Sequence, residues 1–292
     1  MDIVEKKKVN LFIVGAAKCG TTSLYNYLSE HPSVFMSPVK EPHFFSEVYQ
    51  EKPIKIIKEK RYHSVVINDL DQYNSLFDDC INESVIGEAS TSYLWDTNAA
   101  QRIYNYNPGA RIIIMLRNPI ERAFSHYVMQ KFTGMENLSF YDALQKDIST
   151  SNKKWGVDNI YIDLGMYQKQ VEKYTSIFPK KNIKLVSFQK FKMYTKDEFD
   201  NICDFLGIER GFVTQFTVYN ESKKDKNLLI TSIKSFLRNK ISYDWIPDSI
   251  KVKIKKNITN KNNENIDKAA FKLLSEVYAS EIRYLSSEGL IF

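Results

Sequence analysis

The sequence has no uninterrupted apolar run of about 18 residues, so no membrane-crossing helix is expected from it. It also lacks an apolar signal core at its start. Met1-Asp2-Ile3-Val4-Glu5-Lys6-Lys7-Lys8 leads straight into the first strand-like segment, which reads as a cytoplasmic chain. Cysteine is scarce. Cys19, Cys80 and Cys203 are odd in number and widely spaced, as expected of reduced thiols and not of a disulfide framework. Without secretion, sequons such as Asn82 to Ser84 carry little meaning. No carboxylate pair or His/Cys spacing points to a metal, no segment repeats, and no nucleic-acid recognition motif is present. The net charge of +6, from 41 basic and 35 acidic residues, is modest for this length. The lysine-rich stretches Lys52 to Arg61 and Lys251 to Lys261 read as solvated helix faces or as a rim attracting an anion.

What is present suits a globular enzyme. The 292 residues are 43% hydrophobic and 13% aromatic, enough to bury a large core in a single domain spanning 1–292, with a mainly helical part from about residue 190. Strand-like runs (Leu11–Val14, Val85–Glu88, Ile112–Leu116, Lys184–Phe188) alternate with helical ones. The helical runs are Thr22–His31, Thr97–Asn105, Ile120–Phe132, Tyr141–Lys146, Tyr167–Phe178 and Lys196–Leu206. This alternation predicts an α/β fold of three layers, a mainly parallel central sheet with helices on both faces. Asn107-Pro108-Gly109 and Phe178-Pro179-Lys180 are turn signals before strands. The polar stretch Phe132 to Ile160 reads as a loop, a lid or a segment facing an acceptor.

The segment Gly15-Ala16-Ala17-Lys18-Cys19-Gly20-Thr21-Thr22-Ser23 falls where a strand ends and a helix begins. A glycine-rich turn there points backbone N–H groups, backed by the helix dipole, at one spot suited to a phosphate or sulfate. In the common nucleotide-binding phosphate loop, lysine directly follows the last glycine. Here Lys18 precedes Gly20 by two residues and Thr21 follows it, which argues against an ordinary Mg²⁺-dependent NTPase. Cys19 reads as a small filler within the loop.

A second constellation follows the apolar, β-branched run Arg111 to Leu116. Arg117 stands at the carboxyl end of that strand, where open α/β sheets bind ligands. Asn118 and Pro119 suit the cap and first position of a helix. Ser125 lies about two turns further on. An arginine fork and a hydroxyl at this spacing can converge on one phosphate, or Arg117 can simply pair with Glu121.

Together these segments resemble the sulfotransferases that use 3′-phosphoadenosine 5′-phosphosulfate (PAPS). Phe12 through Leu24 is similar to that family's 5′-phosphosulfate loop, and Leu116-Arg117-Asn118-Pro119 through Ser125 to its 3′-phosphate segment. Lys40-Glu41-Pro42-His43-Phe44-Phe45 resembles the acceptor-side segment of the bacterial and heparan-sulfate-type branch. Gly87 to Tyr93 and Gly165-Met166-Tyr167 through Phe178 are lesser matches. The resemblance implies a P-loop-like sulfotransferase fold and sulfuryl transfer from PAPS to a hydroxyl or amine without a metal. It assigns Lys18, Cys19, Gly20, Thr21, Thr22 and Ser23 to the 5′-phosphate, and Lys18 also to the leaving oxygen. It assigns Arg117 and Ser125 to the 3′-phosphate, with Lys223 and Lys224 as weaker candidates in a degraded basic loop.

Glu41 is the expected general base. Between Lys40, Pro42 and the apolar Phe44-Phe45, its carboxylate is expected to be desolvated and its proton affinity raised. His43, two residues on, faces the same way if the segment is extended, and is the rival base or its partner. A lone structural histidine and a Glu41–Lys40 surface pair are the plainer alternatives. The chain departs from the family at Gln189, where an acidic residue is common, and at Ala89, where heparan-sulfate-type enzymes carry lysine. The Ala89 departure leaves room for a small-molecule acceptor, such as an alkaloid, beside a carbohydrate. The competing class is an ATP- or GTP-dependent phosphotransferase with an altered loop. No nucleic-acid or membrane partner is expected.

Overall fold

Leu11–Gly15 carries no polar side chain, and every residue of it is buried, so this strand (β1) is covered on both faces. Val34–Met36 (β2), Val85–Ala89 (β3), Arg111–Leu116 (β4) and Ile183–Ser187 (β5) complete a five-stranded sheet in the order β2-β3-β1-β4-β5. Every pairing is parallel. This computed structural model describes residues 8–47, 67–213, 215–216 and 266–290.

The helices are α1 (Thr21–Ser29), α2 (Leu70–Ser75), α3 (Ser92–Trp95), α4 (Ala99–Tyr106), α5 (Pro119–Phe132) and α6 (Phe140–Ser149). They continue with α7 (Tyr167–Ile177), α8 (Phe188–Met193), α9 (Thr195–Leu206), α10 (Lys268–Val277) and α11 (Ala279–Ser287). Parallel crossovers are right-handed almost without exception. The β1-to-β2 and β3-to-β4 connections run in opposite directions along the sheet, so their helices cover opposite faces. Tyr27 of α1 packs on Phe191 of α8 and Phe199 of α9, while α3, α4, α7 and α11 pack together. The chain leaves β1 toward one edge and β4 toward the other. The crevice between the carboxyl ends of β1 and β4 is therefore the topological switch point.

Local chemistry fixes the elements that matter for the site. Asn118 Oδ1 accepts from the N–H groups of Ile120 and Glu121, with Pro119 opening α5. Ser187 caps α8 by accepting from Lys190 N–H. That cap ends β5 one residue before the strand expected from sequence and turns Phe188 into the first helical residue. β2 and the short helices α2, α3 and α8 were not among the sequence-based elements. A second, smaller core joins α5, α6 and α10 through Tyr127, Phe140, Tyr161, Leu274 and Tyr278.

Candidate active site

The β1–α1 turn and the β4 tip lie side by side. Ala16 N–H donates to Met115 C=O of β4 at 2.7 Å, tying the two strand ends together. Lys18 (φ 71°) and Gly20 (φ 86°) both adopt the left-handed conformation. At Gly20 only glycine fits, because a Cβ would meet the Phe188 ring at 2.9 Å. No side chain caps α1, so the N–H groups of its first two residues, Thr21 and Thr22, remain available, while Ser23 N–H donates to Gly20 C=O at 3.0 Å. The other face of the Phe188 contact is Arg117, whose guanidinium lies 4.8 Å from the ring centroid. Phe188 thus holds the loop and the arginine in one register. Cys19 is fully buried under the turn, and burial pushes its thiol up to about 11, so it stays a neutral filler.

Cations converge here. Lys18 Nζ donates to Met129 Sδ at 3.3 Å, and no carboxylate is in ion-pair contact with it among the described residues. Burial lowers its proton affinity, and the charges of Arg117 and Arg122 lower it further. Arg117 pairs with Glu121 at 3.1 Å, a half-exposed contact of little strength that an entering anion can displace. Arg122 is fully buried and donates to Tyr161 C=O, but its Nε and Nη1 have no hydrogen-bond partner among the described residues. Arg122, Ser125 and Met129 recur at helical spacing, so Ser125 shares the α5 face turned toward Lys18. Nearby His126 is kept neutral by burial first and then by Arg122 and Lys18. Arg122, Met129 and Phe188 had no assigned role at the sequence level. The spacing of Arg122 from Ser125 within one helix is the signal that could have found the first. Lys223 and Lys224 lie outside the described residues.

On the β3 side the segment after β2 runs along the strand end. Ser37 N–H donates to Gly87 C=O and Glu41 N–H to Ala89 C=O. Glu41 (φ 62°) and His43 (φ 56°) are both left-handed. Three of the four non-glycine residues with positive φ among the described residues are thus Lys18, Glu41 and His43, and such strain is concentrated at functional sites. Glu41 lies 2.8 Å from Lys40 Nζ and 3.3 Å from His43 Nε2, and Thr91 Oγ1 donates to it at 3.4 Å. His43 Nδ1 is 2.7 Å from Ser92 Oγ. The expectation of a raised Glu41 proton affinity is corrected. Burial does push it up, but His43 and Lys40 outweigh burial and bring it down to about 2. The expected desolvation is present, as the largest single effect on Glu41, while Phe44 and Phe45 pack on Tyr73 and Phe12. The Glu41 side chain is 28% exposed and that of His43 is sealed.

Beneath them lies a second carboxyl group. Glu88 is fully buried and accepts from Ser90, Tyr93 and Tyr73 hydroxyls at 2.7, 2.7 and 3.1 Å. Ser90 Oγ in turn accepts from His43 N–H, which fixes the strained backbone there. Burial raises Glu88 to about 7 despite the three donors. Because the folded value lies above the ordinary one of 4.5, its contribution is complete below pH 4.5 and is lost as pH rises through about 7. Glu88→Gln is therefore expected to flatten the decline in stability between those limits, by up to about 1.4 kcal/mol per pH unit. Denaturant melts across a pH series check this; an unchanged slope counts against it.

These two half-sites, an anion cradle and an exposed carboxylate on a strained turn, define a group-transfer enzyme fold. Residues 8–277 match the family model for the sulfotransferase domain, and the chain belongs to that family. The crystal structure of a sulfotransferase from Alicyclobacillus acidocaldarius is 35% identical. It superposes with a TM-score of 0.65 over 80% of this chain and 92% of that one. Human carbohydrate sulfotransferase 15 is 25% identical over 285 residues, covering 75% of this chain and 48% of that protein. Human heparan sulfate glucosamine 3-O-sulfotransferase 6 is 25% identical over 213 residues, 72% of this chain and 56% of that protein. The chain spans about half the length of these curated relatives. No described helix is long and apolar enough to cross a membrane.

Proposed function

We propose that the protein transfers a sulfuryl group from PAPS to a hydroxyl or amine of a carbohydrate or small-molecule acceptor. The observation that carries this reading is the cluster Lys18, Arg117 and Arg122. Among the described residues it leaves a lysine without a carboxylate partner and a buried guanidinium with two nitrogens, Nε and Nη1, unpartnered at the switch point. Such a cluster fits a multiply phosphorylated donor. PAPS, when bound, supplies an electrophilic sulfur whose bond to the 5′-phosphate oxygen breaks as the acceptor oxygen or nitrogen bonds to it. The uncapped N–H groups of α1 and Lys18 are suited to the 5′-phosphate and the charge left on its oxygen. Arg117 and Ser125 are suited to the 3′-phosphate. Glu41 takes the acceptor proton, so the products are a sulfate ester or sulfamate, 3′-phosphoadenosine 5′-phosphate and one proton. The family resemblance and the named relatives support both donor and acceptor class. The scarcity and wide spacing of cysteine in the sequence are consistent with a cytoplasmic location.

Thermal shift with 3′-phosphoadenosine 5′-phosphate against ADP tests the donor. At one hundred times its dissociation constant a ligand stabilises by about 2.7 kcal/mol. The 3′-phosphorylated nucleotide is expected to do so at much lower concentration than ADP. Equal potency, or a requirement for Mg²⁺, would favour a phosphotransferase. Arg117→Ala is expected to weaken the 3′-phosphorylated nucleotide selectively, by about 10- to 100-fold, as for loss of a hydrogen bond to a charged group. Isothermal titration of both nucleotides checks this, and an equal loss for ADP defeats the assignment.

A further inference from the structure

Two indole rings meet at the end of α3, the helix at whose start Thr91 and Ser92 contact Glu41 and His43. Trp95 closes α3, and Trp155 comes from the loop after α6. Their centroids are 5.9 Å apart with planes inclined by 38°, and both are half-buried. No described residue hydrogen-bonds either indole N–H, and neither N–H is sealed from solvent.

Their place relative to Glu41 follows from helix geometry. Thr91 touches Glu41 and Ser92 touches His43. Trp95 follows at four and three residues, on the same helical face, where Cβ atoms stand about 5–6 Å apart. That spacing is about the width of one six-membered ring. Trp155 is held ready. Lys153 beside it is tied to Asp147 at 2.9 Å and Asp163 at 3.0 Å, and the Lys154–Asp158 turn is closed by three hydrogen bonds. A platform ordered before binding spares the cost of ordering it later.

We infer that Trp95 and Trp155 form the acceptor subsite and that it takes a pyranose ring, laid by its C–H face on the indoles with one hydroxyl toward Glu41. A sugar ring has a flat apolar face rimmed by oxygens. The two indoles offer the complement, broad apolar faces with N–H donors at their edges. The inference rests on the reading of Glu41 as the acceptor-side base.

Saturation-transfer NMR with methyl glycosides of glucose, galactose, mannose and N-acetylglucosamine, and separately with 2-naphthol, tests it in the full chain with 3′-phosphoadenosine 5′-phosphate present. At least one glycoside is expected to receive saturation on the C–H protons of one ring face. Trp155→Ala and Trp95→Ala are each expected to weaken its binding by about tenfold. Trp155→Phe and Trp95→Phe should retain most of it, and the nucleotide-induced thermal shift should be unchanged in all four variants. No saturation of any glycoside, preference for 2-naphthol alone, or undiminished glycoside binding in both alanine variants would overturn the subsite. Loss of nucleotide preference in the parent protein would instead defeat the donor assignment, so the two failures are separable.

Discussion

Glu41→Gln is expected to bind 3′-phosphoadenosine 5′-phosphate as the parent protein does and to lose about 10²–10⁴ in turnover, the usual weight of a positioned proton acceptor. In the proposed mechanism, burial favours Glu41 of the two candidates in this segment. Glu41 is 28% exposed, whereas the His43 side chain has no exposure and is bonded to Ser92. Only Glu41 reaches an acceptor without rearrangement, and His43 positions it. A carboxylate held at about 2 is a weak base toward a free alcohol. It becomes an adequate one once the acceptor oxygen bonds to sulfur and its proton turns acidic, so proton transfer accompanies bond formation. The pH consequence is specific. Glu41 lies below its ordinary value of 4.5, so its stabilising contribution is present above pH 4.5 and is lost as pH falls through about 2. Turnover should then show no acid limb from this group near neutrality. In His43→Asn the largest favourable partner is gone, and an acid limb should move up toward 4.5. Steady-state kinetics across pH checks both variants; near-parent turnover in Glu41→Gln removes it from the reaction.

The parts of this site that were legible in the sequence are those set by local rules. The strand-turn-helix of Leu11 to Ser29 needs only an apolar run, glycine freedom at Gly20 and the α1 pattern, and the structure has it. Asn118-Pro119 announces α5 with equal clarity. Glu41 was found only through its motif, because nothing in Lys40 to Phe45 fixes a left-handed backbone at two non-glycine positions. That backbone folds His43 onto Glu41, where with Lys40 it outweighs the burial that the sequence did suggest, and so the expected proton affinity had the wrong sign. Phe188 was illegible for another reason. Its role depends on two contacts far away in sequence, Gly20 and Arg117. β2 has three residues, Val34–Met36, too few to display a period. Trp95 and Trp155 meet only when the loop after α6 folds back on α3.

Lys18→Met is expected to lower turnover by about 10²–10³, the cost of removing one group aimed at developing negative charge. The lysine is already desolvated, held at φ 71° on a two-strand seam, and among the described residues has only a methionine sulfur as hydrogen-bond acceptor. A cation so placed gains most when charge appears beside it, because little water must leave and no ion pair must break. The same setting limits its pH range. Burial, then Arg117 and Arg122, depress its proton affinity, so the charge is lost as pH rises through a value below that of an ordinary lysine. Turnover should therefore fall on an alkaline limb attributable to Lys18. Arginine does not deprotonate in proteins, so whatever rate Lys18→Arg retains should lack that limb. Arg122→Met should shift the limb upward, since it removes one of the charges that depress it. Turnover and nucleotide affinity followed from pH 7 upward in these three variants give the answer. An alkaline limb that persists in Lys18→Arg, or near-parent turnover in Lys18→Met, would place the leaving-group charge on another residue.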